Sequence, residues 1–188
     1  MTPYEFRSGA LFLDLVDTVA DRDGSGVDLL GDPQDVSSWA YDSGKLPFML
    51  AVTPNETDLR HLKALREAIY RAASSLVDGG EVGSDDTRIM NHAAAKIPAR
   101  SVLTADGVEL AADDPVGAML AAIATDAIEL LGSERRQRLR RCQECRMLFF
   151  DASPPGKRLW CSSSSGCGNR AKTRRHRQSM KERKDYPC

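Results

Sequence analysis

The sequence predicts a mainly α-helical domain with small β elements, an α+β fold, over residues 1–134, followed by a small four-cysteine module over residues 135–188. Three observations carry this prediction. Three capping residues followed by proline mark helix starts, an Asp-Gly pair marks a hairpin, and two close pairs of cysteines precede a basic segment. The first part, about 130 residues long, is large enough to bury its own core.

Three helix starts are predicted in the first part, because Asp and Thr cap helices and proline fits the first helical turn. The second helix is predicted from about Pro54 to Val77, with Glu56 completing a capping box. The third is apolar enough to be central and ends near Gly132. The capping pairs are Asp32-Pro33, Thr53-Pro54 and Asp114-Pro115.

Shorter elements fill the remaining stretches of the first part. Residues 84–96 predict a helix closed by Pro98. Residues 101–110 predict a hairpin that turns at Asp106-Gly107. The apolar segment 11–19 is compatible with a strand or a helix, and residues 132–137 form the candidate domain boundary.

The cysteine spacing indicates one structural Zn²⁺. Cys142 and Cys145 are separated by two residues, so their thiolates can bind one side of a tetrahedral ion. Cys161 and Cys167 supply the second pair after a natural interval of fifteen residues.

The segments around these ligands predict a treble-clef-type finger. Residues 147–151 form an apolar β-type run, residues 153–156 are turn formers, and Leu159-Trp160 is predicted to be the return strand. No Gly or Pro interrupts residues 169–186, so a helix is predicted to begin at Cys167.

Three other uses of the cysteines fit less well. A redox pair belongs in a βαβ pattern, which is not predicted around Cys142. A zinc deaminase needs His-x-Glu, whereas His92 precedes two alanines, and four cysteines leave no position for a catalytic water. Disulfides need an oxidising compartment, but the early apolar run is short and contains Asp14, so we expect a reducing, cytoplasmic location. Cys188 is the odd thiol.

The C-terminal residues resemble the CGNR zinc-finger family of bacterial proteins. The family pattern has four residues between the third and fourth cysteines, whereas residues 162–166 supply five, so the geometry of that turn is not inferred. The matching segments are Cys142-x2-Cys145, Phe150-Asp151-x-Ser153, Arg158-x-Trp160-Cys161-Ser162 and Cys167-Gly168-Asn169-Arg170-Ala171-Lys172.

The start of the chain is similar to the ABATE domain that usually precedes this finger. The similarity lies in the segment from Leu13 to Thr18, in Leu29-Leu30 and in Trp39 followed by Gly44. The two resemblances together imply a stress-induced transcriptional regulator whose finger binds DNA, with ligand sensing as a role for the first domain.

Charge is divided unevenly, although the net charge is only −1. Residues 135–188 contain 16 Lys and Arg against 4 Asp and Glu, a net of +12, whereas residues 1–134 carry −13. Such asymmetry predicts a polyanion-binding segment attached to an acidic domain. Aromatic residues for stacking on unpaired bases are scarce in the basic segment, which favours double-stranded DNA.

The predicted C-terminal helix concentrates this charge. At 100° per residue, basic residues from Arg170 to Lys184 fall within a stripe roughly 80° wide, and others lie toward the opposite side. A solvated, frayed tail is the alternative beyond Met180. The expected DNA-binding residues are Arg170, Lys172, Arg174, Arg175, Arg177, Lys181 and Lys184.

The first domain offers one candidate ligand pocket, formed by Asp14, Asp17, Thr18 and Trp39. Paired carboxylates are also ordinary caps or turn formers. No nucleophile triad, phosphate loop or histidine cluster stands out, so we expect no enzymatic activity, and no apolar run predicts a membrane span.

The sequence therefore predicts a DNA-binding transcriptional regulator built on a structural zinc finger. The alternative is a protein–protein interaction module whose basic helix binds acidic protein surfaces. The acidic first domain is one such surface and could mask the finger.

Overall fold

The computed structural model describes residues 3–49, 53–162, 164 and 166–185, apart from the side chains of residues 49 and 182–185. Within these ranges the fold is α+β, as predicted. The helices are α1 (Leu11–Val16), α2 (Pro33–Ser43), α3 (Glu56–Val77), α4 (Ser84–Ala94), α5 (Pro115–Leu131) and α6 (Cys167–Asp185). The antiparallel strand pairs are β1 (Val19–Ala20) with β2 (Val27–Asp28), β3 (Arg100–Thr104) with β4 (Gly107–Ala111), and β5 (Leu139–Arg141) with β6 (Leu148–Phe150).

Two of the three predicted caps are confirmed. The Asp32 carboxylate accepts from the Gln34 backbone N–H at 2.8 Å, and the Asp114 carboxylate accepts from the Gly117 backbone N–H at 2.9 Å. The Thr53-Pro54 cap is wrong, because α3 begins at Glu56 with Asn55 as its cap. Asn55 is a stronger capping residue than Thr53, and the carboxylate of Asp58 closes its capping box.

The ambiguous segment 11–19 forms the helix α1, whose residues Phe12 to Val16 are all buried. Its amino end is capped from another helix, because the Phe12 backbone N–H donates to the carboxylate of Asp126 in α5 at 3.0 Å. The β3–β4 hairpin turns one residue earlier than predicted. Thr104 pairs with Gly107, and Gly107 takes the positive φ of 130° that glycine tolerates.

The main hydrophobic core lies where α1, α3, α4 and α5 pack together. Helix α5 is buried along most of its length, which confirms its predicted central position. Within the described ranges, no helix is both long and apolar enough to cross a membrane.

The C-terminal module is docked on this core. Leu139 of β5 and Leu148 of β6 belong to the main core cluster, and the Phe150 backbone N–H donates to the Ser8 carbonyl at 2.7 Å. Gly9 permits this approach, because it has φ 95° and a Cβ there would stand 3.1 Å from the Phe150 carbonyl oxygen.

The predicted return strand at Leu159-Trp160 is wrong. Strand β6, which follows the first cysteine pair, pairs with β5, which precedes that pair. The intervening chain instead wraps around the fully buried carboxylate of Asp151. That carboxylate accepts hydrogen bonds from Ser153 and from the Arg158 backbone N–H. The carbonyl of Leu159 still reaches the cysteine turn, where it accepts from the Gln143 N–H at 3.0 Å.

Candidate metal centre and nucleic-acid interface

The four cysteines predicted as ligands converge on one point. Their Sγ atoms all lie within 4.8 Å of one another, with 3.6 Å between Cys145 and Cys161 and 3.8 Å between Cys161 and Cys167. A tetrahedral ion at about 2.3 Å from each sulfur requires sulfur–sulfur separations of about 3.8 Å. The cluster is therefore arranged to bind a metal ion, and these separations are far longer than the roughly 2.05 Å of a disulfide.

The first pair of ligands lies in the turn between β5 and β6. The Cys142 N–H donates to the Met147 carbonyl at 2.8 Å, and the Arg146 N–H donates to the Cys142 carbonyl at 3.0 Å. Arg146 has φ 63°, a left-handed conformation that is uncommon outside glycine. This residue closes the turn and directs both thiols to the same side.

The second pair is held by the start of α6. Cys167 is the first residue of that helix and is buried. Gly166, with φ 65°, turns the chain into the helix, and its carbonyl accepts from the Arg170 N–H at 3.0 Å. A metal bound here would therefore fix the position and direction of α6.

The close approach of the thiols affects the ionisation of Cys145. The neighbouring Cys161 thiol and burial raise the pKa of the Cys145 thiol well above its usual range. A divalent cation reverses this preference by binding the thiolates. The Arg170 guanidinium also donates to Cys167 Sγ at 3.2 Å, which favours a negatively charged sulfur.

The described side chains of α6 contact the rest of the finger within the first half of the helix. Ala171 is buried, whereas every residue from Lys172 to Lys181 is exposed. The helix therefore presents its basic side chains to solvent, as the sequence predicts.

Two of the predicted DNA-binding residues form ion pairs within the finger. Arg174 forms a two-bond ion pair with the Glu144 carboxylate, at 2.9 and 2.6 Å, and Arg170 lies 3.7 Å from the same carboxylate. Hydrogen bonding from Arg174 lowers the pKa of Glu144. Glu144 lies between the first two cysteines, so the beginning of the predicted stripe faces the cysteine turn.

The other predicted cations differ in their surroundings. Arg175 stacks over the Trp160 ring, 5.2 Å from its centre. Lys172, Arg177 and Lys181 form no ion pair with any described side chain. Lys184 lies in α6, but its side chain is outside the described part of the chain, as is all of Cys188.

The first domain contacts the finger away from α6. Arg141 pairs with Asp78 at 3.0 Å, and Arg146 pairs with Asp23 at 3.3 Å. The Ser164 N–H donates to Glu5 at 3.1 Å. No ion pair among the described side chains joins α6 to the acidic domain. The described ion pairs therefore join the acidic domain to the β5–β6 region of the finger rather than to α6.

The four residues predicted as a ligand pocket lie inside the first domain. Asp14 bonds to Ser8 at 2.6 Å and to Lys45 at 2.5 Å, and Thr18 donates to the Leu15 carbonyl at 2.7 Å. Trp39 is fully buried in the core. These three side chains have structural roles, and none lines the larger depressions of the described surface.

Two buried polar atoms in that set, Trp39 Nε1 and Asp17 Oδ2, have no hydrogen-bond partner among the described residues. Burial, and then the negative charge of Asp14, raise the pKa of Asp17 well above its usual range. Its carboxyl group lines a narrow space that also contains Cys161, so it lies at the junction with the metal cluster.

Comparison with known families assigns both parts of the chain. Residues 9–134 match the ABATE family, described as "Putative stress-induced transcription regulator". The chain belongs to the ABATE family. Residues 138–179 match the CGNR zinc finger, so this ABATE protein has the domain arrangement that its motifs suggest. A search of curated proteins found no match.

Sequence reasoning missed two residues of the site. Glu144 is an acidic residue in a strongly basic segment, which is a sequence signal for an internal ion pair. Arg146 gave no such signal, because its left-handed backbone is imposed by the turn and not by a glycine or asparagine.

Proposed function

We propose that this ABATE protein is a non-catalytic, DNA-binding transcriptional regulator whose four-cysteine cluster holds a structural Zn²⁺. The observation that carries the proposal is the placement of α6. Its first residue is one of the cysteines of the cluster, and the following exposed residues are rich in Lys and Arg. A metal thus orients a cationic helix whose outer surface is open to a partner.

Zinc is the ion that best suits this donor set. Four thiolates in a tetrahedral arrangement favour Zn²⁺ or an iron centre over Ca²⁺ or Mg²⁺, and Zn²⁺ has no redox chemistry of its own. When bound, it would supply folding free energy to a module with few buried apolar residues. Four protein ligands leave no open position for a reacting water, which supports a structural role.

Double-stranded DNA is the partner that the helix fits best. Phosphate contacts from exposed Lys and Arg provide affinity without base specificity. Lys172, Arg177 and Lys181 are available for such contacts, whereas Arg170 and Arg174 must first exchange Glu144 for a phosphate. Arg177 and Gln178 are the side chains that we propose for base contacts if the helix enters the major groove.

A salt titration tests the proposal. Zinc-loaded full-length protein would be titrated with a fluorescently labelled random-sequence duplex from about 50 to 300 mM salt. A plot of log K against log salt with a slope of about −4 to −6 is expected, since each phosphate contact contributes about 0.9. The double variant Arg177→Gln/Lys181→Gln should reduce the magnitude of the slope by about 2.

A matched pair of exposed arginines in the first domain provides the control. Arg60→Gln/Arg100→Gln removes the same charge and should leave the slope unchanged. Failure to bind at the lowest salt with zinc present, or equal slopes for the two double variants, would contradict a DNA-binding α6.

Binding to acidic protein surfaces is the second candidate function. One observation favours it, because Arg141 and Arg146 of the finger already bind acidic residues of the first domain. Poly-glutamate as a competitor separates the two functions. If poly-glutamate of the same charge displaces the duplex at equal concentration, the surface recognises acidic polymers in general.

We further propose that the ABATE domain senses a small ligand and thereby controls the finger. The interlocked packing supports this, since β5 and β6 contribute Leu139 and Leu148 to the core of the first domain. A change in that core would reach the strands that carry the first cysteine pair.

A further inference from the structure

A cavity of about 200 Å³ lies between α3, α4 and α5. It is separate from the cysteine cluster, since none of its lining residues belongs to the finger. Its floor is apolar and contains Leu65, Ile89 and Leu120. All of its ionisable lining residues are basic by type: they are His61, Arg88, His92 and Lys96.

Helical spacing explains how these groups converge. Arg88, His92 and Lys96 are four residues apart, so they follow one face of α4 and its C-terminal extension. His61 enters from α3 on the opposite side. A favourable interaction with the carboxyl end of α4 accounts for a cation at Lys96, but it does not account for Arg88 near the amino end.

The positive charge of the cavity lining is unusual for the acidic domain that contains it. Residues 1–134 carry a net charge of −13, yet the cavity contains no acidic residue. Four other depressions in the described surface each include at least one carboxylate. Arg88 also pairs with Asp85 at 3.0 Å, but both side chains are largely exposed, so this ion pair competes weakly with a ligand.

We propose that this cavity binds a small organic anion with an apolar body, of the monocyclic aromatic carboxylate class. An apolar cavity of about 150 Å³ accommodates benzene, so the space fits a single ring on the floor of Leu65, Ile89 and Leu120. The carboxylate would lie at the rim, where Arg88 and Lys96 provide charge-assisted hydrogen bonds. This ligand class rests on the sensing role proposed above.

The test uses benzoate as the probe and benzyl alcohol as its uncharged counterpart. Both would be titrated into zinc-loaded, isotopically labelled full-length protein while backbone amide signals are followed by NMR. Benzoate should shift signals of residues 61–65 and 88–96 and bind at least about tenfold more tightly than benzyl alcohol. No DNA is present, so failure of the DNA-binding proposal would not affect the result.

Three variants locate the site. Arg88→Met/Lys96→Met should weaken benzoate binding at least about tenfold, and Ala64→Leu should weaken it by filling the cavity without removing charge. Arg60→Met removes an exposed α3 cation outside the cavity and should have no effect. Amide signals confirm that each variant remains folded.

Two results would overturn the proposal. One is equal affinity for benzoate and benzyl alcohol, which would remove the need for an anion. The other is a set of benzoate shifts outside α3, α4 and α5, or full benzoate affinity in Arg88→Met/Lys96→Met.

Discussion

The first domain and the finger are stabilised in different ways. The first domain closes its core with fully buried apolar side chains, among them Phe12, Trp39 and Ile69. The separate cluster of the finger consists of Cys142, Phe149 and Cys167, with Cys145, Trp160 and Cys161 half-buried around them. Four of these six residues are the cysteines arranged to bind a metal, so hydrophobic burial dominates in the first domain, whereas the finger has few buried apolar side chains of its own.

Helix α6 is correspondingly exposed over residues 172–181. A helix held by apolar packing must turn one face toward a core, whereas α6 is held by its first residue, Cys167, by the buried Ala171 and by polar contacts of its arginines with the finger. The two regions still share β5 and β6, whose Leu139 and Leu148 lie in the larger core. Loss of metal should therefore affect the cysteine turn and α6 more than these strands.

The largest expected effect is that of Cys161→Ser. Structural zinc contributes about 10–16 kcal/mol of apparent binding free energy in isolated zinc-finger peptides, so loss of one ligand should release the metal and the start of α6. Hydrogen exchange should show lost protection in residues 142–147 and 167–171, with α3 and α5 unchanged. Cys188→Ser removes the cysteine that does not belong to either close pair in the sequence and should retain one metal per chain. Full zinc binding and protection in Cys161→Ser would refute the coordination.

Leu62→Ala should destabilise the first domain by about 2–5 kcal/mol, because Leu62 is fully buried in its core. Urea unfolding measures the change, and metal analysis of the folded protein should still give one ion per chain. Leu103→Ala makes the same substitution at a side chain that is 83% exposed and should change stability by less than about 0.5 kcal/mol. Similar losses in both variants would contradict the assigned core.

Gly9→Ala tests the junction between the regions and should cost about 1–3 kcal/mol. The methyl group would combine a positive φ with a 3.1 Å contact to the Phe150 carbonyl. Gly26→Ala has a similar backbone strain, φ 61°, but meets nothing within 4 Å. Urea unfolding should therefore rank Gly9→Ala as the more destabilising, and the reverse order would show that the close approach is unimportant.

Asp28→Asn should destabilise the first domain by about 1–2 kcal/mol. The loss is smaller than for a fully buried ion pair, because Asp28 is one-third exposed and Arg66 retains its ion pair with Glu67. Burial would raise the pKa of Asp28, but hydrogen bonds from Arg66 and Leu30 outweigh it and hold the pKa far below its ordinary value. A lowered folded-state pKa gives stability that is present above the ordinary value of about 3.9 and is lost as pH falls below it.

The pH profile of unfolding checks this assignment. Wild type should progressively lose its advantage over Asp28→Asn as the pH falls from about 5 to 2, and the loss should still be incomplete at about pH 3 because the folded-state pKa is so low. A constant difference between the two proteins over that interval would show that ionised Asp28 is not the stabilising form.

Glu144→Gln should have the smallest effect, an increase in duplex affinity of about two- to fivefold, because it releases Arg174 from an exposed ion pair. Glu129→Gln changes the net charge equally at an exposed site in α5 and should leave affinity unchanged. Fluorescence anisotropy measures both. A loss of affinity in Glu144→Gln would mean that Glu144 positions the arginine for DNA.

Local signals in the sequence predicted much of this molecule. Proline next to a capping residue located α2 and α5, cysteine spacing located the metal cluster, and a stretch without Gly or Pro located α6. The helix signals succeed because they depend on neighbours within a few residues, and the cysteine signal succeeds because one metal ion requires both close pairs.

Other features depend on contacts between distant segments. Strand β6 pairs with β5, and the Asp151 carboxylate holds the following chain in a loop; no local pattern reports either feature. The predicted pocket residues Asp14 and Thr18 instead form internal hydrogen bonds with Lys45 and Arg66, which lie far away in the sequence. The basic cavity likewise appears only when α3 and α4 are packed together.

The most direct test of the central claim is duplex binding before and after metal removal. Full-length protein would be titrated with the labelled duplex at about 50 mM salt, first zinc-loaded, then after chelation, and again after zinc is restored. Because the metal orients α6, we predict strong binding, at least a tenfold loss on chelation and full recovery with zinc. Equal binding by the metal-free and zinc-loaded proteins would show that the basic residues act as an unstructured tail and would contradict the account.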